Sequence, residues 1–193
     1  MANPDTPRGF LPVSKLDGSP YSGSVRSFSF NAGSDSTACF IGDPVILLGS
    51  SQTIDGVVYG DVTQAATGDV IAGVVVGFAA ATDESLIYRA ASTQRIALVE
   101  TGRDVLFELQ EVSGGTPLTV AAIGLNANFV VGSGSTVTGL SGVELNNSGE
   151  ATTNTLDIKI VGLSPRADNV IGEHAKFLVQ INRSQWANQV AGI

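Results

Sequence analysis

Residues 175–182 read AKFLVQIN, and this stretch decides the fold because its apolar and polar side chains alternate. Phe177, Val179 and Ile181 fall on one side of an extended chain, whereas Lys176 and the glutamine of the stretch fall on the other. A period of two is the pattern of a β-strand that buries one face and exposes the other. The sequence therefore predicts a strand here, with its aromatic and aliphatic face in a core.

Similar patterns recur along the chain at short intervals. Alternation is clearest in residues 26–30, 104–110 and 155–161, and apolar runs at 70–78 and 95–100 also predict strands. Glycine-rich connectors separate these runs, among them Gly33-Ser34-Asp35, Asp55-Gly56, Ser113-Gly114-Gly115 and Asn146-Asn147-Ser148-Gly149. Many short strands joined by such turns predict an all-β fold, an antiparallel β-sandwich or barrel of the jelly-roll or β-tulip-like kind with little helix.

The composition divides the chain into three parts. Residues 1–24 contain four of the seven prolines, which fix φ and lack a backbone donor, so we expect an extended N-terminal arm. Residues 25–182 are predicted to form the β core, and residues 183–193 a C-terminal tail. Two subdomains split near residue 112 are the alternative. A short helix is predicted at residues 116–123, with a proline in its first turn.

The predicted arm carries apolar side chains that a free tail would not need. They are Phe10, Leu11, Val13 and Leu16, and Tyr21 adds an aromatic ring with a polar tip. Prolines reduce the entropy lost when a segment is ordered, so such an arm can dock at low cost. We predict that these five residues contact another protein. The alternative is that the arm folds back onto its own core.

The charge and hydropathy of the chain restrict its partners. The formal net charge is −8 and only 15% of the residues are charged. An acidic chain is repelled by phosphate backbones, so we expect no nucleic-acid partner. The N-terminus lacks the pattern of a signal peptide, and the longest apolar runs are shorter than the roughly 20 residues that cross a bilayer. We therefore expect a protein that is made in the cytoplasm and stays soluble, with no membrane partner.

Cysteine and histidine occur once each, as Cys39 and His174. Cys39 lies in the apolar run Ala38-Cys39-Phe40-Ile41, which predicts a buried hydrophobic side chain and not a nucleophile. One cysteine and one histidine are too few for a zinc site. Serine–histidine catalysis would have to use His174, and no Gly-x-Ser-x-Gly elbow accompanies it. We expect neither an enzyme nor a cofactor.

The acidic residues do not form a recognised site either. Asp55, Asp61 and Asp69 are predicted in turns without the spacing of an EF-hand, which leaves a calcium site only as a lesser alternative. Asp104 and Glu108 lie opposite the apolar residues of the predicted strand at 104–110. This is the pattern of a solvated face, and it argues against the paired carboxylates of a glycosidase.

Three sets of residues resemble segments of small head proteins of tailed bacteriophages. The first is Met1-Ala2-Asn3-Pro4 with Gly9-Phe10-Leu11-Pro12; the second is Gly42-Asp43-Pro44-Val45 with Gly68-Asp69-Val70-Ile71-Ala72-Gly73-Val74; the third comprises residues 124–127, 132–142, 152–156, 169–172 and 175–179. In their order along the chain they are similar to the cement, or decoration, proteins of phage capsids. The resemblance covers most of the chain and brings no catalytic residue with it.

The resemblance implies a structural protein of the virion. Such a protein would be made in the host cytoplasm and bind the outer capsid surface, where it would clamp neighbouring subunits of the major capsid protein. Because it would sit on a local symmetry axis, we expect a homo-oligomer, with a trimer favoured over a dimer. Another phage β protein, such as a tail-tube, head-completion or fibre component, is the alternative.

Overall fold

The computed structural model describes residues 3–33 and 35–187, and these residues form a nearly all-β protein. The strands are β1 (Leu11–Lys15), β2 (Arg26–Phe30), β3 (Pro44–Ile54), β4 (Val57–Gln64), β5 (Gly73–Phe78), β6 (Arg95–Glu100), β7 (Val105–Gln110), β8 (Asn126–Ala127), β9 (Phe129–Val130), β10 (Glu144–Leu145), β11 (Ile158–Leu163) and β12 (Lys176–Ile181). The predicted all-β class is confirmed. No helix in the described part of the chain is long and apolar enough to cross a membrane.

Five strands close into a barrel in the order β2-β4-β3-β5-β6. All of its pairs are antiparallel except β2 with β4, which run parallel where Ser29 meets Asp61. The β3–β4 hairpin turns at Asp55 and Gly56, both at positive φ (51° and 80°), as an Asp-Gly hairpin turn requires. The barrel core consists of Phe28, Phe30, Cys39, Val45, Val62, Val75, Ala97 and Val99.

The other strands build a five-stranded antiparallel sheet in the order β1-β7-β12-β11-β8, and β9 and β10 form a small second sheet. Phe107, Phe129 and Phe177 are fully buried in the core of this region. Ile71 and Val74, which lie beside and within the barrel strand β5, belong to the same core. The core of the sheet therefore extends to one side of β5, whereas the inside of the barrel holds a separate cluster.

The chain passes from the barrel to the sheet between β6 and β7, at residues 101–104. This is earlier than the split near residue 112 that the connectors predict. The predicted helix at residues 116–123 is reduced to a single 3-10 turn, Val120–Ala122, capped by Thr119. The proline therefore lies before this turn and not in it.

Strand β7 is buried on both faces, so the predicted solvated face is wrong for Glu108. Glu108 and Gln110 are only 8% and 4% exposed. Ser164 and Arg166 contact the Glu108 carboxylate, and the backbone N–H of Thr6 donates to Gln110. Asp104, by contrast, is exposed just before the strand and forms a surface ion pair.

The predicted arm lies against its own chain over the described residues 3–24. The Asn3 side chain donates to the carbonyls of Val170 and Glu173 at 2.8 and 2.9 Å and accepts from the Val170 N–H. Strand β1 adds an edge to the sheet beside β7, a position in which Pro12 costs few ladder bonds. These contacts match the alternative prediction, in which the arm folds back onto its own core.

The predicted C-terminal tail also packs on the barrel where it is described. Ile71 and Ser184 form a parallel bridge, and the indole N–H of Trp186 donates to the Ala72 carbonyl at 2.5 Å. The side chain of Gln185 accepts from the N–H of Leu47 at 2.9 Å. Residues 188–193 of the tail, like residues 1–2 of the arm, lie outside the described residues.

Candidate functional site

A short part of each of the three resembling sets lies at one junction between the barrel and the sheet. The N–H of Phe10 donates to Gly42 O at 2.9 Å. Ile41 exchanges backbone bonds with Gly139 and Ser141 at 2.9 and 2.8 Å, and Val75 donates to Asp43 O at 2.9 Å. Residues from all three resembling sets thus contact one another or their immediate neighbours.

Two glycines make this junction possible, because the backbones approach too closely for side chains. A Cβ on Gly9 would lie 2.5 Å from the Gly42 carbonyl oxygen, and one on Gly42 would lie 2.3 Å from the Arg8 carbonyl oxygen. Both glycines also have positive φ, 67° and 98°, which disfavours residues with a Cβ. Gly9 and Gly42 therefore serve the architecture of the protein.

Asp43 holds the barrel side of the junction. Its carboxylate accepts from the Phe40 N–H at 2.8 Å and from the Gln64 amide at 2.9 Å. Burial raises the pKa of Asp43 although these hydrogen bonds act in the opposite direction. The second motif thus contributes a buried polar anchor as well as its glycine.

A cleft of about 330 Å³ opens beside the junction. The arm contributes Leu11, Pro12 and Tyr21 to the wall of this cleft. Val76 of β5 and Leu140, which lies between β9 and β10, also contribute to the wall. We refer to these five residues as the arm cleft. Its apolar lining suits an apolar side chain or segment of another protein better than a polar substrate.

Phe10, the first predicted contact residue, is only 1% exposed and lies at the base of the arm cleft. Its ring packs edge-on against Phe107 and Phe129, with centroids 5.8 and 5.9 Å apart. Burying such a ring contributes roughly 1.5–3 kcal/mol to stability. Phe10 therefore stabilises its own chain and offers almost no surface to a partner.

The other predicted contact residues divide between the arm cleft and the surface beside it. Leu11 is 38% exposed at the cleft, and Tyr21 packs partly buried against the core. Burial, helped by the charge of Glu100, raises the pKa of Tyr21 to about 12. Leu16 is 55% exposed and Val13 is half-buried, and neither lines the cleft.

Sequence reasoning missed exposed apolar side chains in two neighbouring loops, Leu86 and Ile87 in one and Val137 in the other, which we call the Leu86–Ile87–Val137 surface. These side chains are 49%, 52% and 85% exposed. The loop with Leu86 and Ile87 meets the loop with Val137 at Gly139. A Cβ added to Gly139 would lie 2.7 Å from Ile87 Cγ1. The available signal was that residues 86–88, LIY, are apolar without alternating.

Cys39 is fully buried in the barrel core, and burial raises the pKa of its thiol well above the usual value. The prediction of a buried hydrophobic residue is confirmed. Such a thiol is a poor nucleophile because the thiolate is the reactive form.

Among the described residues, one cluster could hold a cation. Ligand atoms of Asp5, Glu144 and His174 lie within 4.8 Å of one another. The sequence argument against zinc counted only cysteine and histidine, and no local motif joins residues 5, 144 and 174. Only the fold brings them together.

Comparisons with known proteins add no assignment to this geometry. No family model, no curated protein and no solved structure matches the chain. A function must therefore be argued from the sequence motifs and from the surfaces that the described residues form.

Proposed function

We propose that this chain is a structural protein of a phage virion, a cement protein that binds the outer capsid surface and clamps neighbouring major capsid subunits. The observation that carries the proposal is that one part of each resembling set, represented by Gly9, Gly42 and Ser141, lies at the same junction. Scattered glycine and aspartate motifs would recur by chance in many β proteins. Residues that meet in space and require one another are better explained by a shared architecture.

The surface of the protein supports a role in binding other proteins. Only 15% of the residues are charged, against about 25% in typical soluble domains. Exposed apolar side chains also lie at the arm cleft and at the Leu86–Ile87–Val137 surface. Clustered apolar exposure of this kind is typical of interaction sites.

The arm cleft is the surface that we assign to the capsid. Its walls come from the arm and the barrel together, so an occupant would contact both and strengthen their association. Leu11 is in the edge strand β1 and Leu16 directly follows this strand, and both side chains are exposed. Because Phe10 is buried, we assign the docking role of the arm to Leu11, Tyr21 and Leu16.

Charge and symmetry complete the proposal. The net charge of −8 disfavours binding to packaged DNA and suits the outside of the shell. A protein that clamps neighbouring subunits must match their local symmetry, so we expect a homo-oligomer on the capsid, with a trimer favoured over a dimer.

The β3–β4 hairpin favours a second candidate, another virion β protein such as a tail-tube, head-completion or fibre component. Val57 and Val58 near its tip are 51% and 68% exposed. An exposed hairpin with apolar residues can pair with the sheet of a neighbouring subunit. Subunits of a tube or fibre make such contacts in series.

The experiment adds the purified chain to phage heads from which it has been omitted and measures co-sedimentation and release of DNA on heating. The cement proposal predicts binding and a higher release temperature. Leu11→Asp should abolish both effects, because it places a charge at the mouth of the arm cleft. Val58→Asp is the matched control and should bind normally. If only the hairpin variant loses binding, the assignment of the arm cleft to the capsid is wrong, and if the unaltered chain does not bind the heads, the cement proposal itself is wrong.

A further inference from the structure

We infer that Asp5, Glu144 and His174 form a site for a divalent transition-metal ion of the zinc class, which ties the N-terminal segment to the sheet. Asp5 comes from the segment before β1, Glu144 from β10 and His174 from the residues that lead into β12. A metal ion here would link three parts of the chain that are far apart in sequence. The site would exist whether or not the chain binds a capsid.

The spacing of the three side chains fits a metal ion. Their ligand atoms lie within 4.8 Å of one another, and ligands at about 2.0–2.2 Å from zinc lie roughly 3–4 Å apart. Small side-chain rotations would therefore close the site. One imidazole and two carboxylates supply three protein ligands and leave room for a further ligand, which is water in many zinc sites.

The imidazole of His174 has a buried nitrogen atom that makes no hydrogen bond within the described part of the chain. Its Nδ1 atom is buried and has no hydrogen-bond partner among residues 3–33 and 35–187. The nearest carboxylate oxygen, Asp5 Oδ1, is 3.6 Å away, beyond a normal hydrogen bond. The residue also adopts a left-handed backbone, with φ at 59°. A buried ring nitrogen directed at a carboxylate, without a bond to it, is suited to a metal ion.

The two carboxylates are held together in spite of their charges. Gln110 donates to Asp5 Oδ1 at 2.8 Å and to Glu144 Oε1 at 3.0 Å, and it accepts from the Thr6 N–H at 2.9 Å. A cation would offset the repulsion between these two neighbouring carboxylates, and Gln110 acts as a positioning residue that orients the two ligands.

The nitrogen ligand decides which metal the site would take. Calcium and magnesium bind oxygen ligands almost alone, and calcium takes six to eight of them. A single imidazole with two carboxylates suits zinc and its neighbours in the first transition row. We therefore use zinc as the probe and calcium as the comparison ion.

Isothermal titration of zinc into the full, metal-free chain tests the site, with thermal unfolding measured in parallel. We expect one zinc ion per chain, a higher melting temperature and much weaker binding of calcium. His174→Asn, which tolerates the left-handed backbone, and Glu144→Gln, which keeps an oxygen for Gln110, should each weaken binding at least tenfold. Asp83→Asn changes an exposed acid elsewhere and is the control.

Two results would overturn the inference. One is the lack of zinc binding by a chain that melts cooperatively, and the other is zinc binding that both ligand variants retain. The two variants protect the test against a folding defect, because their metal-free melting temperatures show whether the fold survives. If His174→Asn does not fold, the result with Glu144→Gln decides.

Discussion

Asp61 in the barrel and Glu111 beside the sheet are both fully buried acids, yet their surroundings differ. Asp61 accepts from Ser29 and Ser50 and from the Gln52 amide, at 2.5, 2.7 and 2.8 Å. Burial alone would raise the pKa of Asp61, but these bonds lower it below the usual value. The hydrogen-bonding needs of Asp61 are thus met within the barrel.

Glu111 receives much less support. The Leu118 N–H donates to Oε1 at 2.8 Å, whereas Oε2 has no hydrogen-bond partner in the described part of the chain. Burial raises the pKa of Glu111, and it also raises those of Glu144 and Asp157. The comparison shows that burial alone does not fix the pKa of an acid, because the hydrogen bonds that it accepts act in the opposite direction. In the described part of the chain, the buried polar atoms without a hydrogen-bond partner also include Nδ1 of His174, in the proposed metal site.

The largest effect is expected for Arg89→Ala in the barrel. Arg89 is 0% exposed, pairs with Asp35 at 3.2 Å and lies over the Phe30 ring. Its removal leaves a buried carboxylate unpaired, so we expect a loss on the order of 5 kcal/mol in the free energy of unfolding. Urea denaturation measures the loss. The exposed Arg103→Ala should change stability by less than about 0.5 kcal/mol, and an equal effect of both variants would contradict the account.

Phe10→Ala should cost about 3 kcal/mol, because it empties a site between two other aromatic rings. Leu16→Ala, in the same arm but exposed, is the control and should leave the urea midpoint nearly unchanged. A Phe10 variant as stable as the parent chain would mean that the arm does not belong to the core of the sheet.

Asp61→Asn and Glu111→Gln sharpen the comparison of the two buried acids. The first replaces a charged acceptor of three donors with an amide, and we expect a loss of about 2 kcal/mol. The second removes an under-supported charge while keeping an oxygen for Leu118, so we expect a change below about 1 kcal/mol, of either sign. Chemical denaturation at pH 7 measures both, and the reverse order would break the comparison.

The smallest effect is a rise in melting temperature as the pH is lowered from 7 towards 5. The folded chain binds protons at Glu111 and Glu144 more tightly than the unfolded chain does, because their folded pKa values are raised. Stability must then increase as the pH falls through the raised pKa towards the ordinary value of 4.5. Below 3.8 the lowered pKa of Asp61 reverses the trend. Calorimetry across this range measures the slope, which Glu111→Gln should flatten.

Local patterns in the sequence predicted several strands, but not which distant residues would pack against each of them. The alternation in residues 175–182 corresponds to β12, where Phe177 and Val179 are buried, and the run at 95–100 coincides with β6. Alternation is a property of neighbouring residues, so it is readable without the fold. The burial of Glu108 was not readable, because the residues that cover β7 come from distant parts of the chain.

The candidate sites show the same division. The apolar residues of the arm were visible in the sequence, but only the fold separates the buried Phe10 from the exposed Leu11. The cluster of Asp5, Glu144 and His174 was missed because no spacing rule connects ligands so far apart. The glycines of the motifs were seen as a resemblance, and the fold adds that Gly9 and Gly42 approach each other's backbone.

The number of copies of the chain in each virion tests the proposed cement role most directly. Quantitative mass spectrometry of purified virions gives this number relative to the major capsid protein, and immunogold labelling gives the position on the particle. The account predicts hundreds of copies on the head, whereas a head-completion ring would contain about a dozen. A count near a dozen, or labelling confined to the tail, would contradict it.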